Sequence, residues 1–190
     1  GGAVAPGRYW VDAQLNWGYE GVPIPAGNLR QLAAARSGGG GRAALMAVPV
    51  LHVCDKFGVA GSSIHGVSRL FSWWFPRFDP ARFDVGLVGL KGPQPASRLL
   101  AESGIPVHHL GRGKFDPRIA SDLVALVRRR GARILHVHGY AAADFGRLAA
   151  RWTGAALVLH EHFADPRMPA YQALADRLLR HRTDGAIAVS

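Results

Sequence analysis

The chain has 190 residues, of which 48% are apolar, and it carries a formal net charge of +10. This length suffices for one sizeable domain with a buried core and hardly for two. A single cysteine excludes a disulfide framework within the chain and fits a reducing compartment. No apolar run approaches the ~20 residues of a membrane-spanning helix. The basic residues are scattered, so we favour a solvated basic surface over a site that attracts anionic lipid, phosphates or nucleotide sugar.

The composition changes near residue 45. Residues 1–45 are rich in glycine and proline, include the run Gly38–Gly41, and show no sustained hydrophobic period. We interpret them as a flexible N-terminal extension or linker, native or not, without an assigned function. Met46 is followed at once by a strand pattern, so we expect the folded domain over 46–190. Because the chain stops at Ser190 directly after a strand-like run, we expect a fragment cut at its C-terminus.

Strand and helix patterns alternate from Met46 onward. The apolar runs predict strands over Val48–Cys54, Phe83–Leu90, Ile105–Leu110, Arg133–Val137, Ala156–His160 and Gly185–Val189. The segments between them carry the apolar spacing of helices. The alternation predicts βαβ units and therefore an α/β fold, a Rossmann-like doubly wound parallel sheet of about six strands.

Apolar spacing also assigns an inward face to several predicted helices. The predicted inward residues are Phe145, Leu148 and Trp152 in the fourth helix, and Tyr171, Leu174 and Leu178 in the fifth. In the aromatic run 71–78 we expect Phe71, Trp74 and Phe75 to pack on the sheet. Trp73 should point elsewhere, beside Arg77, and this pair also suits peripheral contact with a membrane interface.

The segment His136-Val-His-Gly-Tyr140 lies where a strand ends and a helix begins. In a parallel α/β sheet, ligands bind at that edge. We expect His136 and His138 to face opposite sides of the sheet, with His136 packed and His138 directed into a cleft beside Gly139. A neutral imidazole at such a position can hydrogen-bond a sugar hydroxyl or act as a base, so His138 is the candidate catalytic residue. A histidine held by backbone groups in a strand–helix loop is the equally weighted alternative.

The segment His160-Glu161-His162 closes a later strand in the same way. Two histidines this close suggest metal ligands, but no cysteine or third partner stands at ligand spacing and the H-E-x-x-H pattern is absent. We therefore interpret the segment as a polar strand-end loop and expect no metal.

The loop after the first strand is rich in small residues and includes Gly58, Gly61, Ser62 and Ser63. Backbone amides at a helix N-terminus bind anions, so this loop is a candidate contact for a phosphate or a sugar. It matches neither the G-x-G-x-x-G fingerprint nor a Walker A loop. Ordinary turn chemistry is the competing interpretation.

Several ordered segments of 48–190 resemble the N-terminal half of GT-B glycosyltransferases of family 4, a retaining group. The resemblance is carried by the first strand with its glycine loop (50–61), the second strand (83–92), the turn into the third (100–108), the H-x-H-G-type strand (134–139), and the two strands that follow (159–162 and 183–190). Ala60 stands where the family usually has a glycine adjacent to Gly61, which puts that loop's contacts in question.

The resemblance implies that this domain binds the acceptor, while a C-terminal domain binds a nucleotide-diphosphate sugar. His138 would face the transferred sugar, and the substrate-binding residues would be Gly58, Gly61, Ser62, Ser63, Gly139, Tyr140, Glu161 and His162. It further implies transfer without a metal cofactor, a small-molecule or lipid-linked acceptor, and a cytoplasmic location with possible peripheral contact at the inner face of the membrane. Because the donor domain is absent, we expect the chain alone to be inactive.

Two other classes of function stay open. One is a different GT-B-like nucleotide-sugar enzyme of the epimerase type, and the other is a non-enzymatic basic binding module. Nucleic-acid binding is disfavoured, because the sequence has no aromatic and basic recognition motif.

Overall fold

The structure is a computed structural model, and it describes residues 8–11, 17–20, 47–58, 66–102, 104, 106–162 and 168–188. The chain divides into two compact units, Gly1–Ala44 and Leu45–Ser190. In the first unit, β1 (Arg8–Val11) and β2 (Trp17–Glu20) pair as an antiparallel ribbon. Sequence analysis did not predict this ribbon. The rest of the predicted flexible extension lies outside the described residues.

The second unit is built on a six-stranded sheet with the order β5-β4-β3-β6-β7-β8, in which every neighbouring pair is parallel. The strands are β3 (Val48–Cys54), β4 (Phe83–Gly89), β5 (Val107–His109), β6 (Ile134–His138), β7 (Ala156–Glu161) and β8 (Gly185–Ala188). The predicted Rossmann-like parallel sheet of about six strands is confirmed. The chain moves outward from β3 through β4 to β5 and then returns to the other side of β3 with β6. This reversal places a topological switch point between β3 and β6.

Among the described residues, five helices connect the strands: α1 (Val67–Trp74), α2 (Pro95–Glu102), α3 (Arg118–Arg130), α4 (Tyr140–Thr153) and α5 (Ala170–Leu179). Short 3₁₀ turns extend α1 over Phe75–Arg77 and α5 over Arg180–Arg182. No helix in the described part of the chain is long and apolar enough to span a bilayer.

The sheet has two different faces. Leu51, Val53, Leu135 and Val137 are buried in an apolar cluster together with residues of α3 and α4. A Cβ on Gly146 of α4 would stand 2.6 Å from a methyl group of Val137, so glycine allows this helix to approach the sheet closely. Strand residues at alternating positions share a face. On β3 and β6 the even-numbered residues therefore point to the opposite side, where a second cluster contains Cys54, Phe71 and Phe75.

The predicted aromatic packing of α1 is confirmed. Phe71, Trp74 and Phe75 are buried, whereas Trp73 is 57% exposed. Arg77 Nη1 donates a 2.6 Å hydrogen bond to the backbone carbonyl of Trp73 on α1. Trp73 and Arg77 therefore lie side by side on the exposed end of α1.

The predicted inward face of α4 is correct for Phe145, which packs against the apolar cluster, and wrong for Trp152, and the predicted inward face of α5 is wrong. Trp152 is 54% exposed, because it lies on the side of α4 that borders a groove against α3 and does not face the sheet. Tyr171, Leu174 and Leu178 of α5 are 51%, 57% and 61% exposed, while their neighbour Gln172 is buried. Helical spacing identifies an apolar stripe but does not identify what covers it, so spacing alone does not place the stripe of α5 on the sheet.

The side of α4 that faces away from Trp152 contains a buried charge. Arg147 is 2% exposed and forms a 2.9 Å ion pair with Asp176 of α5 and a longer one, 3.7 Å, with Asp144. Its Nε donates a 3.0 Å hydrogen bond to the hydroxyl of Thr183, which precedes β8. One side chain thus ties α4, α5 and the entry to β8 together.

Candidate functional site

The register of three neighbouring strands brings the polar segments of the sequence together. Cys54 at the end of β3 pairs with His138 of β6, and His138 pairs in turn with His160 of β7. Because the strands are parallel, their carboxyl ends meet at one edge of the sheet, at the switch point where such folds bind ligands. The polar segments that end β3, β6 and β7 therefore lie side by side.

Five of the nine histidines of the chain form a stacked cluster at this edge. Its members, here called the histidine cluster, are His52, His136, His138, His160 and His162. The rings of His136 and His138 stack with centroids 4.6 Å apart, and those of His160 and His162 stack at 4.1 Å.

Hydrogen bonds join these imidazoles in two chains. His52 Nδ1 lies 3.1 Å from His138 Nε2, and His138 Nδ1 lies 2.8 Å from His162 Nε2. Separately, His136 Nε2 lies 3.2 Å from His160 Nδ1. Both ring nitrogens of His138 are therefore engaged by other imidazoles.

The prediction that His136 and His138 face opposite sides of the sheet is wrong. Residues two apart on a strand share a face, since side chains alternate with a period of two. Both histidines point toward α1 and both are buried, at 7% and 2% exposure. His138 consequently does not stand open in a cleft in this domain. The cluster member at the surface is His162, which is half-buried.

Burial keeps these imidazoles neutral. It lowers the pKa of His52 and that of His160 to about 3, with nearby histidines adding to the effect. Burial is also the largest cause of the lowered pKa values of His136, His138 and His162. Neutral imidazoles each offer one N–H donor and one lone pair, so they pair with one another without like-charge repulsion.

The aromatic side chains of α1 form the wall of the histidine cluster. The His52 ring meets Phe71 and Phe75 edge to face, with centroids 5.8 and 5.2 Å apart. The indole of Trp74 lies 5.4 Å from the His160 ring. This wall excludes water from the inner imidazoles and explains the depressed pKa values.

Asp55 occupies the N-terminus of α4. Its Oδ1 accepts a 2.7 Å hydrogen bond from the backbone N–H of Ala142. Burial, the largest influence, raises its pKa in spite of that bond. The carboxylate lies close to Gly139, whose φ of +95° is a conformation that L side chains rarely adopt. An amide that would otherwise be available to an anion at this helix end is therefore already paired.

The start of the glycine loop is also held by the protein itself. Gln94 Oε1 accepts hydrogen bonds from the backbone amides of Phe57 and Gly58, at 2.7 and 3.0 Å. Its Nε2 donates back to the Gly58 carbonyl at 3.3 Å. The hydroxyl of Ser68 on α1 donates to the carbonyl of Phe57. The Gly58 amide therefore binds Gln94 in this structure. The other predicted loop residues, Gly61, Ser62 and Ser63, lie outside the described residues.

Of the predicted site residues, the structure brings His138 and His162 into direct contact and places Gly139 beside them at the end of β6. Tyr140 begins α4, and Glu161 is half-buried at the end of β7, where burial raises its pKa. Sequence analysis did not name His52, Asp55 or Gln94, and it assigned His160 to a polar strand-end loop without a role in the site. The alternation of side chains along a strand predicts a place for His52 in the site, because His52 and Cys54, the last residue of β3, share a face.

The sequence offers His160 and His162 no third partner at ligand spacing, but the structure supplies one. A ring nitrogen of His138, from the neighbouring strand, lies within 4.8 Å of theirs.

The comparisons with known proteins agree with this architecture. The chain is similar to a glycosyltransferase from Rickettsia africae ESF-5, with a TM-score of 0.58 and 16% identity over 76% of this chain and 37% of that one. It is similar to Anabaena Alr3699/HepE, solved in complex with UDP, with a TM-score of 0.53 and 17% identity over 72% and 36% of the two chains. It is also similar to a putative UDP-N-acetylglucosamine 2-epimerase from Listeria monocytogenes, with a TM-score of 0.52 and 15% identity over 75% and 39%. No curated protein matches the sequence.

These likenesses establish the fold, which is that of the N-terminal half of a GT-B protein. The chain spans less than two fifths of the length of the solved proteins named above. Residues 64–190 match Glycosyltransferase Family 4, and the chain belongs to that family.

Proposed function

We propose that this chain supplies the acceptor-binding domain of a glycosyltransferase that takes its sugar from a nucleotide-diphosphate donor. The family match over residues 64–190 is the observation that carries the proposal. The polar edge formed by β3, β6 and β7 supports it, because this edge lies at the switch point of the sheet, where ligands bind in such folds.

In this proposal the acceptor meets the outer part of the edge, at Gly139, Glu161 and His162. His162 is half-buried and can present a ring nitrogen to a sugar hydroxyl. His138 holds His162 through the 2.8 Å hydrogen bond and therefore acts as a positioning residue. Such positioning matters in transfer reactions, because small misplacements of reacting groups cost large factors in rate.

The donor is bound by a second domain, and the reaction takes place between the two. The HepE structure with UDP supports a nucleotide donor for this fold. We expect the chain alone to bind acceptor without transferring sugar, and we expect transfer to need no metal cofactor. The epimerase-type alternative shares the fold, but the family match favours transfer.

Exposed Trp73 and Arg77 support a peripheral contact with a membrane. An aromatic ring and a guanidinium side by side at a helix end suit the interface between water and lipid. We propose that this end of α1 rests on the cytoplasmic membrane face when the acceptor is lipid-linked. Sedimentation with anionic vesicles tests this: Trp73→Ala should reduce the bound fraction, whereas Trp152→Ala, which removes another exposed indole, should not. Equal loss in both variants would contradict it.

Amide chemical-shift titration of the ¹⁵N-labelled chain tests acceptor binding. We expect saturable shifts at Gly139, Glu161 and His162 with at least one member of a panel of sugar and lipid-sugar acceptors, and none with nucleotide sugars. His162→Asn should weaken this binding, whereas His181→Asn, at an exposed histidine far along the chain, should not. Saturable binding of a nucleotide sugar and of no acceptor would overturn the proposal.

A further inference from the structure

We propose that His138, His160 and His162 form a binding site for one divalent transition-metal ion of the Zn²⁺ class. One ring nitrogen from each of the three lies within 4.8 Å of the other two. The inference concerns ion binding and does not depend on sugar transfer.

The sheet places these three ligands. His138 and His160 are register partners on β6 and β7, and His162 follows the last residue of β7. His138 Nδ1 and His162 Nε2 are 2.8 Å apart. Tetrahedral zinc with Zn–N distances of about 2.0–2.1 Å holds its ligand nitrogens roughly 3.3 Å apart. A separation of the two rings by about 0.5 Å therefore suffices to replace their hydrogen bond by a bound ion.

His160 provides an independent sign of a ligand. Its side chain is 1% exposed, and its Nε2 has no hydrogen-bond partner within the part of the chain that the structure describes. A buried polar atom without a partner is costly and calls for an explanation. Coordination of an ion through Nε2 would supply the missing interaction.

The remaining members of the histidine cluster orient the proposed ligands. His138 Nε2 lies 3.1 Å from His52 Nδ1, and His160 Nδ1 lies 3.2 Å from His136 Nε2. With N–H groups on His138 Nε2 and His160 Nδ1 donating to these neighbours, His138 Nδ1 and His160 Nε2 carry lone pairs that an ion can bind. The lone pair of His138 Nδ1 pairs with His162 when no ion is bound. Metal-bound histidines commonly donate their second nitrogen to an outer partner, which fixes the tautomer and the ring orientation.

The donor set indicates the class of ion. Three neutral imidazoles favour Zn²⁺, Co²⁺, Ni²⁺ or Cu²⁺ over Mg²⁺ and Ca²⁺, which prefer oxygen ligands. Because burial lowers the pKa values of these histidines, their lone pairs are available near neutral pH. A second trio, His52, His136 and His138, also has closely spaced nitrogens, but all three of its members are buried. The site with half-buried His162 has a ligand at the surface and is preferred for that reason.

Titration of the metal-free chain with Zn²⁺ by isothermal calorimetry tests the site. We expect one ion per chain, with a loss of affinity of at least ~10-fold in His162→Asn and in His160→Asn. His181→Asn, which removes an exposed histidine outside the cluster, should bind as the unmodified chain does. Replacement of Zn²⁺ by Co²⁺ should give the visible d–d absorption of a tetrahedral site, and this absorption should be lost in His162→Asn.

His162→Asn decides the test if His160→Asn does not fold, because His162 lies at the surface of the cluster. Its fold is checked by far-ultraviolet circular dichroism. The absence of stoichiometric binding by the unmodified chain would overturn the proposal. So would undiminished binding by folded His162→Asn.

Discussion

His52 and His138 are joined by a hydrogen bond of 3.1 Å between Nδ1 and Nε2, although they are 86 positions apart in the chain. The bond passes between neighbouring strands β3 and β6, one on each side of the switch point. It joins the buried start of the histidine cluster to the ring that holds His162. The arrangement of the candidate site therefore depends on the correct register of the central strands.

Gly139→Ala should destabilise the domain and disturb the site. A side chain at φ of +95° is strained, and its Cβ would stand 3.3 Å from the Asp55 carboxylate that caps α4. Such strain costs about 1–3 kcal/mol in the free energy of unfolding. Urea denaturation measures it. Gly92→Ala is the matched control, because a Cβ there meets nothing within 4 Å. Equal effects of the two substitutions would show that the Gly139 conformation is not required.

Arg147→Ala should lower the free energy of unfolding more than the substitution of any exposed arginine does. It removes the buried partner of Asp176 and Thr183 and leaves a cavity at the junction of α4, α5 and β8. Because the Asp176 side chain is 45% exposed and stays solvated, we expect a loss of about 1–3 kcal/mol from the broken charged hydrogen bonds. Arg151→Ala, on the exposed side of the same helix, should change stability by less than about 0.5 kcal/mol. A change of that small size in Arg147→Ala would contradict the structural role, as measured by thermal and urea unfolding.

Acidification should destabilise the fold as the pH drops below about 6.5, the ordinary histidine pKa. The folded pKa values of His52 and His160 are about 3, and the other three cluster histidines are also lowered. The unfolded chain therefore takes up protons first, and the stability present above this pH is lost progressively toward pH 3. Each such histidine contributes up to about 1.4 kcal/mol per pH unit.

Three carboxyl groups have the opposite effect on the stability of the fold as the pH falls further. Asp144, with a pKa of about 6, and Asp55 and Glu161, whose pKa values are raised by burial, bind protons more readily in the folded state. The test therefore compares urea unfolding at about pH 8, 7 and 6, before these groups dominate. We expect stability to fall across this range, with a smaller slope in His162→Asn. A flat or opposite dependence would contradict the buried, neutral histidine cluster.

The sequence was sufficient for the sheet and insufficient for the site. Val48–Cys54 was predicted with its observed bounds, because a β-branched apolar run that ends in a polar turn has few alternatives. The exposed face of α5 was missed, because periodicity does not say what covers a stripe. The third partner of His160 and His162 was missed because it arises from strand register, which brings His138 alongside from 24 residues away. Register and order of strands are properties of the whole sheet and are not encoded in any local spacing.

The orientation of His138 was a different kind of error. Period-two alternation puts His136 and His138 on one face of their strand, and the residue pattern alone is enough to show this. The edge of the sheet at which they lie was nevertheless predicted from the strand ends. The resemblance to family 4 was likewise carried by ordered strand-end segments and is confirmed by the match over 64–190.

Measurement of kcat/KM for sugar transfer in a protein that joins this chain to a donor domain tests the central claim most directly. We expect His138→Ala to lower kcat/KM by about 10²-fold, because it removes the group that holds His162. Its Tm should be no lower than that of His136→Ala. His136→Ala should act mainly on Tm, and His181→Ala should leave both unchanged. If folded His138→Ala keeps the unmodified kcat/KM while His136→Ala abolishes it, the histidine cluster does not serve transfer in the way proposed here.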